Sequence, residues 1–347
     1  MNSVGIDLHR KRSHVAVIDG EGTEMLSRRI ANDPATFLEL LGGLGDETEV
    51  ALEATYGWEW LAELLEEAGF QIHLAHPLRT RAIAAARVKT DSVDARTLAQ
   101  LLRADLLPEA YVAPRELRDL RDLLRHRIAL TQMRTALKNR VHAQLARAGI
   151  QQRHSDLFGP GGREFLRDLG LREEPRRRVD SLLALIDAFD REIESTTKVV
   201  DARAKADERV DVLTQIRGVG PYTAMLVIAE VGDVSRFPSA RKLCAWAGLT
   251  PTVRSSDGKA RLGNISKQGS RALRWALVEA AQHATRDQGP LGEAFERIAE
   301  RRGRRVAKVA VARKIATLCY YGLRDGEIRC LARRCRPSTV VVMAGSS

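Results

Sequence analysis

Short apolar runs separated by turn residues fill the first third of the chain. Val4–Leu8 and Ser13–Ile18 are typical of paired strands, and Asp19-Gly20 ends the second with a turn. Three more strands are predicted over 24–30, 49–54 and 70–74, and helices over 32–44, 57–68 and 79–104. Strands that alternate with helices in this order predict an α/β domain over residues 1–112.

Apolar residues then recur at a helical period over a long stretch. After Pro114 there is no Gly or Pro before Gly149, and a period of about 3.5 residues runs from Leu117 through Ile128 to Leu145, with threonine and lysine at some of its positions; this predicts a long helix of the coiled-coil type. A second helix is predicted from Glu174 or Arg178 to about Val212. We therefore expect a helical coiled-coil hairpin over 113–205 as a linker or oligomerisation region, a compact, mainly helical domain over 206–330, and a poorly ordered tail over 331–347.

Composition narrows the class of protein. Of the 347 residues, 44% are hydrophobic and 29% charged, which is typical of a soluble globular protein. No apolar run reaches about 18 residues, and charged residues crowd the N-terminus, so we expect no membrane span, no secretory signal and a cytoplasmic location. The four cysteines never form C-x-x-C, which argues against a zinc site and a disulfide scaffold.

The net charge of +11 is unevenly distributed along the chain. Residues 1–105 hold 11 basic and 17 acidic side chains, residues 106–205 hold 20 and 15, and residues 206–347 hold 25 and 13. An acidic first part is therefore joined to a strongly basic remainder. Basic charge on this scale indicates a polyanionic partner, since cations that neutralise phosphates release counterions.

Four carboxylates occupy positions that simple solubility does not require. Asp7 lies within the first predicted strand, Glu53 lies on a later one, and Asp91 and Asp94 are three residues apart, hence on one face of a helix. A carboxylate among buried apolar residues is costly unless something compensates it. Mg²⁺ would do so, and a pair of such ions can clamp both oxygens of a phosphoryl displacement. Taken singly, each carboxylate also fits a strand end, a helix cap or a solvated helix face.

These residues carry a family resemblance. Gly5-Ile6-Asp7, followed by Glu53 and by Asp91-x-x-Asp94, resembles the D-E-D-D set of a RuvC-like (RNase H-like) nuclease core. The segment Lys89–Arg96 is similar to the corresponding motif of IS110-family transposases, whose relatives include Piv-type DNA invertases. The resemblance implies that Asp7, Glu53, Asp91 and Asp94 are catalytic metal ligands for Mg²⁺, with two ions bound and Mn²⁺ as a substitute.

The basic part contains a motif typical of nucleic-acid binding. Leu213–Ala224 includes Gly218-Val219-Gly220 and resembles a helix–hairpin–helix, in which a tight turn and a helix N-terminus hold the phosphate backbone without reading bases. An ordinary corner between two helices is the alternative interpretation.

A second motif, Gly263-Asn264-Ile265-Ser266-Lys267-Gln268-Gly269, resembles the C-terminal domain of the same family, which uses a serine nucleophile. We favour Ser266, because flanking glycines allow DNA to approach and Lys267 and Arg271 would hold the phosphate. Ser266 as the cap of a helix over 268–281 is the alternative. Ser255 and Ser256 compete for the role, with Ser270 a distant fourth. The expected nucleic-acid contacts are Gly218, Gly220, Arg254, Lys259, Lys267 and Arg271.

Taken together, the resemblance implies a DNA transposase that works through a 5′-phosphoserine intermediate. It also implies double-stranded DNA as substrate, a non-coding bridge RNA as guide, and action as a homodimer or homotetramer. The alternatives are a Piv-like site-specific invertase, a RuvC-like structure-specific nuclease that uses water, and a non-enzymatic nucleic-acid scaffold with a decayed metal site.

Overall fold

The computed structural model describes residues 1–45, 47–83, 90–256, 259–284, 286 and 289–332, with the backbone alone described over the strand residues between 254 and 262. The chain divides into two compact units, residues 1–113 and residues 114 onward. The expected further division of the second unit after residue 205 stays a prediction.

The first unit is a five-stranded sheet with helices. Its elements are β1 (Asn2–Leu8), β2 (Arg12–Ile18), β3 (Glu24–Ala31), α1 (Pro34–Gly42), β4 (Thr48–Glu53), α2 (Trp58–Glu67), β5 (Gln71–Ala75), α3 (Pro77–Ile83) and α4 (Asp91–Arg103). The strand order is β3-β2-β1-β4-β5, with β1 antiparallel to β2 and parallel to β4. The predicted α/β domain is thereby confirmed, and the sheet fits the RuvC-like fold that we expected.

Side chains alternate between the two faces of this sheet. On one face Val4 and Ile6 of β1 join Val50 and Leu52 of β4 in a core with Phe37 of α1. The other face carries α4, whose Leu98 and Leu102 pack with Ala51 and Ala75.

The contact between α4 and β1 depends on Gly5. A Cβ at this position would lie 2.0 Å from the carbonyl oxygen of Ala95 and 2.6 Å from the backbone nitrogen of Ala99. Only a residue without a side chain lets the helix backbone rest directly on the strand. The missing side chain at Gly5 therefore determines how closely α4 packs on the centre of the sheet.

The second unit is mainly helical, as predicted. Its elements are α5 (Arg115–Arg147), α6 (Pro160–Asp168), α7 (Glu173–Lys205), α8 (Glu208–Thr214), α9 (Pro221–Val231), a 3₁₀ turn (Val234–Arg236), α10 (Ala240–Trp246), β6 (Pro251–Ser256), β7 (Lys259–Ile265), α11 (Arg271–Ala284), α12 (Pro290–Arg302), α13 (Arg304–Asp325) and α14 (Arg329–Ala332). The long helices α5 and α7 pack along each other as a hairpin. Buried residues of α9, α11 and α13 form one core with the base of this hairpin.

The structure corrects several predicted boundaries. The second long helix ends at Lys205 instead of Val212, because the side chain of Asp207 accepts a hydrogen bond from the N–H of Arg209 and starts a new helix. The antiparallel pair β6 and β7 was not predicted, since its polar residues give no alternating apolar signal. The predicted helix over 79–104 is two helices, α3 and α4. Residues 84–89 and the tail beyond residue 332 lie outside the described part.

No helix among the described residues is long and apolar enough to cross a membrane.

The role of Gly5 is testable by unfolding the protein. We expect Gly5→Ala to lower the free energy of unfolding of the first unit by about 3 kcal/mol, the upper range for an overpacked core, because backbone atoms cannot move aside as side chains do. Gly42→Ala is the matched control, since a Cβ at the end of α1 meets nothing within 4 Å. Urea melts of both variants give the comparison, and equal stabilities would contradict this account of the contact.

Candidate functional site

The face of the sheet that carries α4 also carries Asp7. Because side chains alternate along a strand, Asp7 points to the same side as Gly5, two residues before it. Asp7 is buried, with 12% of its side chain exposed. Helix α4, which rests on Gly5, therefore also lies over the carboxylate of Asp7, two residues further along β1.

The first turn of α4 brings two more carboxylates to this place. Thr90 caps the helix, and its Oγ1 accepts a hydrogen bond from the N–H of Val93 at 3.3 Å. Asp91 and Asp94 follow in the first turn, where the positive end of the helix dipole stabilises negative charge. Ala95, one residue after Asp94, is the residue whose carbonyl oxygen approaches Gly5. The first turn of α4 therefore lies beside Asp7.

His9 lies between two of these carboxylates. Its Nε2 is 3.1 Å from Oδ2 of Asp7 and 3.3 Å from Oδ1 of Asp91. One ligand atom from each of these three residues lies within 4.8 Å of the others, a spacing that could hold a metal ion. His9 is not among the predicted site residues, because a lone histidine is more often not a ligand; its position two residues after Asp7, just beyond the end of β1, was the available signal.

The group formed by Asp7, His9, Asp91 and Asp94 carries an excess of negative charge. Burial raises the pKa of Asp7, and the nearby carboxylates of Asp94 and Asp91 raise it further, while His9 lowers it. Asp7 is thus held in a place where its ionised form is disfavoured. A divalent cation would remove this penalty, so the donor set fits such an ion.

Glu53 ends the strand that runs beside β1. Ile6 pairs with Leu52 in the parallel ladder, and Gly5 pairs with Ala51, so Asp7 and Glu53 each follow the last paired residues on the face that carries α4. Glu53 is half-buried. The backbone thus puts the fourth predicted carboxylate on the neighbouring strand at the same end.

The predicted nucleophile Ser266 lies in the loop between β7 and α11 of the second unit. Its N–H donates to the carbonyl oxygen of Thr250 at 2.9 Å, while its Oγ is buried and has no hydrogen-bond partner in the described part of the chain. An orphaned buried hydroxyl costs about 1–3 kcal/mol. Ser266 does not cap the next helix as the alternative required, because α11 starts at Arg271 and Oγ of Ser270 accepts from the N–H of Leu273.

The loop around Ser266 is built by close backbone contacts. A Cβ on Gly248 would lie 2.2 Å from the carbonyl oxygen of Gln268, and one on Gly269 would lie 2.1 Å from that of Trp246. The guanidinium of Arg274 donates to the carbonyl oxygens of Gln268, Gly269 and Ala247. Gly248 and Gly269 therefore serve packing within the protein. The sequence did not point to Arg274 as the residue that holds the loop.

Lys267 is exposed and has a φ of +56°, a left-handed conformation that is uncommon for a residue with a side chain. Such strain persists only where the surroundings impose it, and it concentrates at functional sites. The exposed Arg271 is the first residue of α11, four residues further on.

The glycines of the predicted helix–hairpin–helix differ in their surroundings. Gly218 has a φ of +89°, and a Cβ there would lie 2.2 Å from the carbonyl oxygen of Ala280, so Gly218 is needed for packing against α11. Gly220 caps α9 and has open space around it. The side chains of Arg254, Lys259, Ser255 and Ser256 lie outside the described residues.

Two family models match the chain. One, described as a transposase and specific to the DEDD domain of IS110 elements, matches residues 4–150; the other, described as the transposase IS116/IS110/IS902 family, matches residues 210–296. The transposase for insertion sequence element IS1111A from Coxiella burnetii is 28% identical, covering 94% of this chain and 91% of its own length. The transposase for IS1328 from Yersinia enterocolitica is 26% identical over 94% of this chain and 97% of its own length. A "Probable family 20 transposase" from Pseudomonas aeruginosa is 29% identical over 78% of this chain and 82% of its own length.

The acidic first unit, the mainly helical basic unit and these matches together define a transposase, an enzyme that recombines DNA. The chain belongs to the IS110 family of insertion-sequence transposases, the group that also includes IS116 and IS902. Its DEDD domain implies dependence on a divalent metal ion.

The unfavourable environment of Asp7 leads to a pH-dependent prediction. Its pKa is raised, so the metal-free protein loses stability as pH rises from the ordinary carboxyl pKa through the raised value. Asp7→Asn cannot ionise, and we expect it to melt at a higher temperature than wild type at neutral pH, with the difference shrinking as pH falls. Melting curves in EDTA across this pH range measure the effect. Glu67→Gln, at an exposed site on α2, is the control, and the prediction fails if Asp7→Asn is the less stable protein at pH 7.

Proposed function

We propose that this transposase cleaves and rejoins DNA with a DEDD metal site in its first unit and a serine nucleophile in its second. The observation that carries the proposal is the cluster of Asp7, His9 and Asp91, in which negative charge accumulates around the buried Asp7 at the end of a central strand. Such a cluster is costly to folding and is useful to an enzyme that must bind a cation.

Asp7, Glu53, Asp91 and Asp94 would hold the metal. When bound, Mg²⁺ supplies positive charge that neutralises phosphate oxygens and activates an attacking oxygen at phosphorus. Carboxylate oxygens suit both Mg²⁺ and Mn²⁺, whereas the imidazole of His9 is a ligand more typical of metals such as Zn²⁺. The first turn of α4 and the end of β1 keep the carboxylates in place.

In the proposed reaction Oγ of Ser266 attacks a DNA phosphate. The attack forms a bond from phosphorus to the serine oxygen and breaks the bond to the 3′ oxygen, which leaves a 5′-phosphoserine and a free 3′-hydroxyl. The 3′-hydroxyl of another strand then reverses the step and restores the serine. Lys267 and Arg271 are the proposed phosphate contacts beside it, with Arg254, Lys259, Gly218 and Gly220 as further contacts to the backbone.

We also propose that a bridge RNA guides the enzyme and that it acts as a homodimer or homotetramer. The basic excess of residues 106–347, where 45 basic side chains face 28 acidic ones, supports binding to more than one nucleic-acid strand. A Piv-like invertase would use the same residues on fixed sites.

One observation favours a second candidate function. Oγ of Ser266 is buried, so a serine mechanism requires the loop at 266–269 to open, whereas a metal-dependent nuclease that uses water requires no such step.

The two mechanisms are separated by trapping covalent adducts. Wild-type protein with Mg²⁺, its candidate RNA and labelled element-end DNA should give a protein–DNA adduct on a denaturing gel, and Ser266→Ala should give none. Cleavage without an adduct in wild type would contradict the serine mechanism and support the nuclease. An adduct that survives in Ser266→Ala would move the role to Ser255 or Ser256.

Ser270→Ala is the matched control for this experiment. Because Oγ of Ser270 caps α11, we expect this variant to lose about 1 kcal/mol of stability and still form the adduct. Ser266→Ala removes an orphaned hydroxyl and should melt no lower than wild type. A large loss of stability in Ser266→Ala would mean that the missing adduct reports misfolding.

The metal site has its own test. Mg²⁺ or Mn²⁺ should raise the melting temperature of wild type, since a ligand that binds the native state stabilises it, and should not raise that of Asp7→Asn. An equal rise in both proteins would place metal binding elsewhere.

A further inference from the structure

A basic groove runs along the outer half of the helical hairpin. Its volume is 780 Å³, and four arginines line it: Arg140 and Arg147 from α5, and Arg177 and Arg178 from α7. All four are exposed, and no acidic residue contributes to the lining. We call this surface the arginine groove.

Three other cations of α5 and the neighbouring α6 have partners within the protein. Arg134 lies 2.5 Å from Asp190, Arg163 lies 2.5 Å from Asp187, and the ammonium of Lys138 lies over the ring of Phe158.

The contrast is clearest at three consecutive residues of α7. Arg176 donates to the carbonyl oxygens of Leu166 and Arg167 in α6, and these bonds join α6 to α7. Its guanidinium also pairs with Asp180 of α7. Arg177 and Arg178 line the groove and have no ion-pair partner among the described residues. Arg176, which connects two helices, therefore has a carboxylate partner, whereas the two arginines that line the groove have none among the described residues.

The arrangement of the four guanidinium groups suits a phosphate backbone. Arg140 and Arg147 are two turns apart on one helix face, about 10 Å along the axis. The arginines of α7 line the same groove, together with the apolar Ala143, Leu182 and Leu185, the last 46% exposed, and the polar Gln144 and Ser181. Guanidinium forks bind phosphate oxygens in pairs, and the apolar side chains offer contacts to sugar rings.

We propose that the arginine groove binds the sugar–phosphate backbone of nucleic acid. A second copy of the same groove is a poor occupant, because an isologous contact would set four arginines against four arginines. The proposal rests on the proposed function only in requiring that the chain binds nucleic acid, and it depends on neither the metal site nor Ser266.

The test compares two charge-matched variants of the full chain. Arg140→Gln with Arg178→Gln removes two groove cations, and Arg134→Gln with Arg163→Gln removes two that are paired within the hairpin. Binding is measured by fluorescence anisotropy across a salt series, with a mixed-sequence DNA duplex and an RNA stem-loop of equal length as probes.

We expect the groove variant to bind more weakly. The slope of log affinity against log salt should fall by about 1.8 on duplex DNA, at about 0.9 per lost phosphate contact, and by less on single strands. The control should keep the slope of wild type. Arg140→Lys with Arg178→Lys, which keeps both charges, should also keep it. Loss on the DNA probe alone, or on the RNA probe alone, supports the proposal and assigns the groove to that nucleic acid.

Three results would overturn it. Equal losses in the groove variant and its control would mean that only net charge matters, and an unchanged groove variant would mean that the arginines are simply solvated. A shift in oligomeric state of the groove variant without nucleic acid, measured by light scattering, would make the groove a contact between copies. If wild type binds neither probe, the proposed function fails as well, whereas normal wild-type binding with an unchanged groove variant removes this inference alone.

Discussion

The approach of α4 to β1 at Gly5 is the contact on which the first unit depends. Backbone atoms of Ala95 and Ala99 occupy the space where a side chain would be, so the helix can rest on the strand only because that side chain is missing. The first turn of α4 carries Asp91 and Asp94, and Asp7 follows Gly5 on the same face. A steric requirement at one glycine thus determines how close three carboxylates come to each other.

The closeness of these carboxylates conflicts with stability, and the metal site proposed above gives a reason for it. Burial and neighbouring carboxylates both disfavour the ionised form of Asp7, and His9 offsets this only in part. A protein with no catalytic role for these groups would be more stable with a neutral residue in place of one of them. The DEDD domain of this family implies a divalent metal ion, and in the function proposed above the same negative charge that costs folding energy would bind that ion.

The second unit shows the same relation between local cost and use. Gly248 and Gly269 allow the loop at 266–269 to pack backbone to backbone on the end of α10, and Arg274 holds that loop through three carbonyl oxygens. Lys267 adopts a left-handed conformation within it, and Oγ of Ser266 is left without a partner. Strain and an unsatisfied hydroxyl thus occur together in one loop, within the residues 210–296 that the second family model matches.

The sequence by itself determined the element types, the mainly helical second unit and the four carboxylates, because apolar periodicity and charged residues on predicted strands are local signals. It did not reveal the strand pair β6–β7, whose polar residues give no alternating apolar signal, or the packing role of Gly218, which depends on Ala280 far along the chain. The end of α7 at Lys205 was also missed, although the cap formed by Asp207 is a local feature. The part played by His9 also required the tertiary structure, because an imidazole is placed between two carboxylates only when β1 and α4 meet. Partnered and unpartnered arginines look alike in a sequence, and only the packing of α5 against α7 decides which of them find a carboxylate.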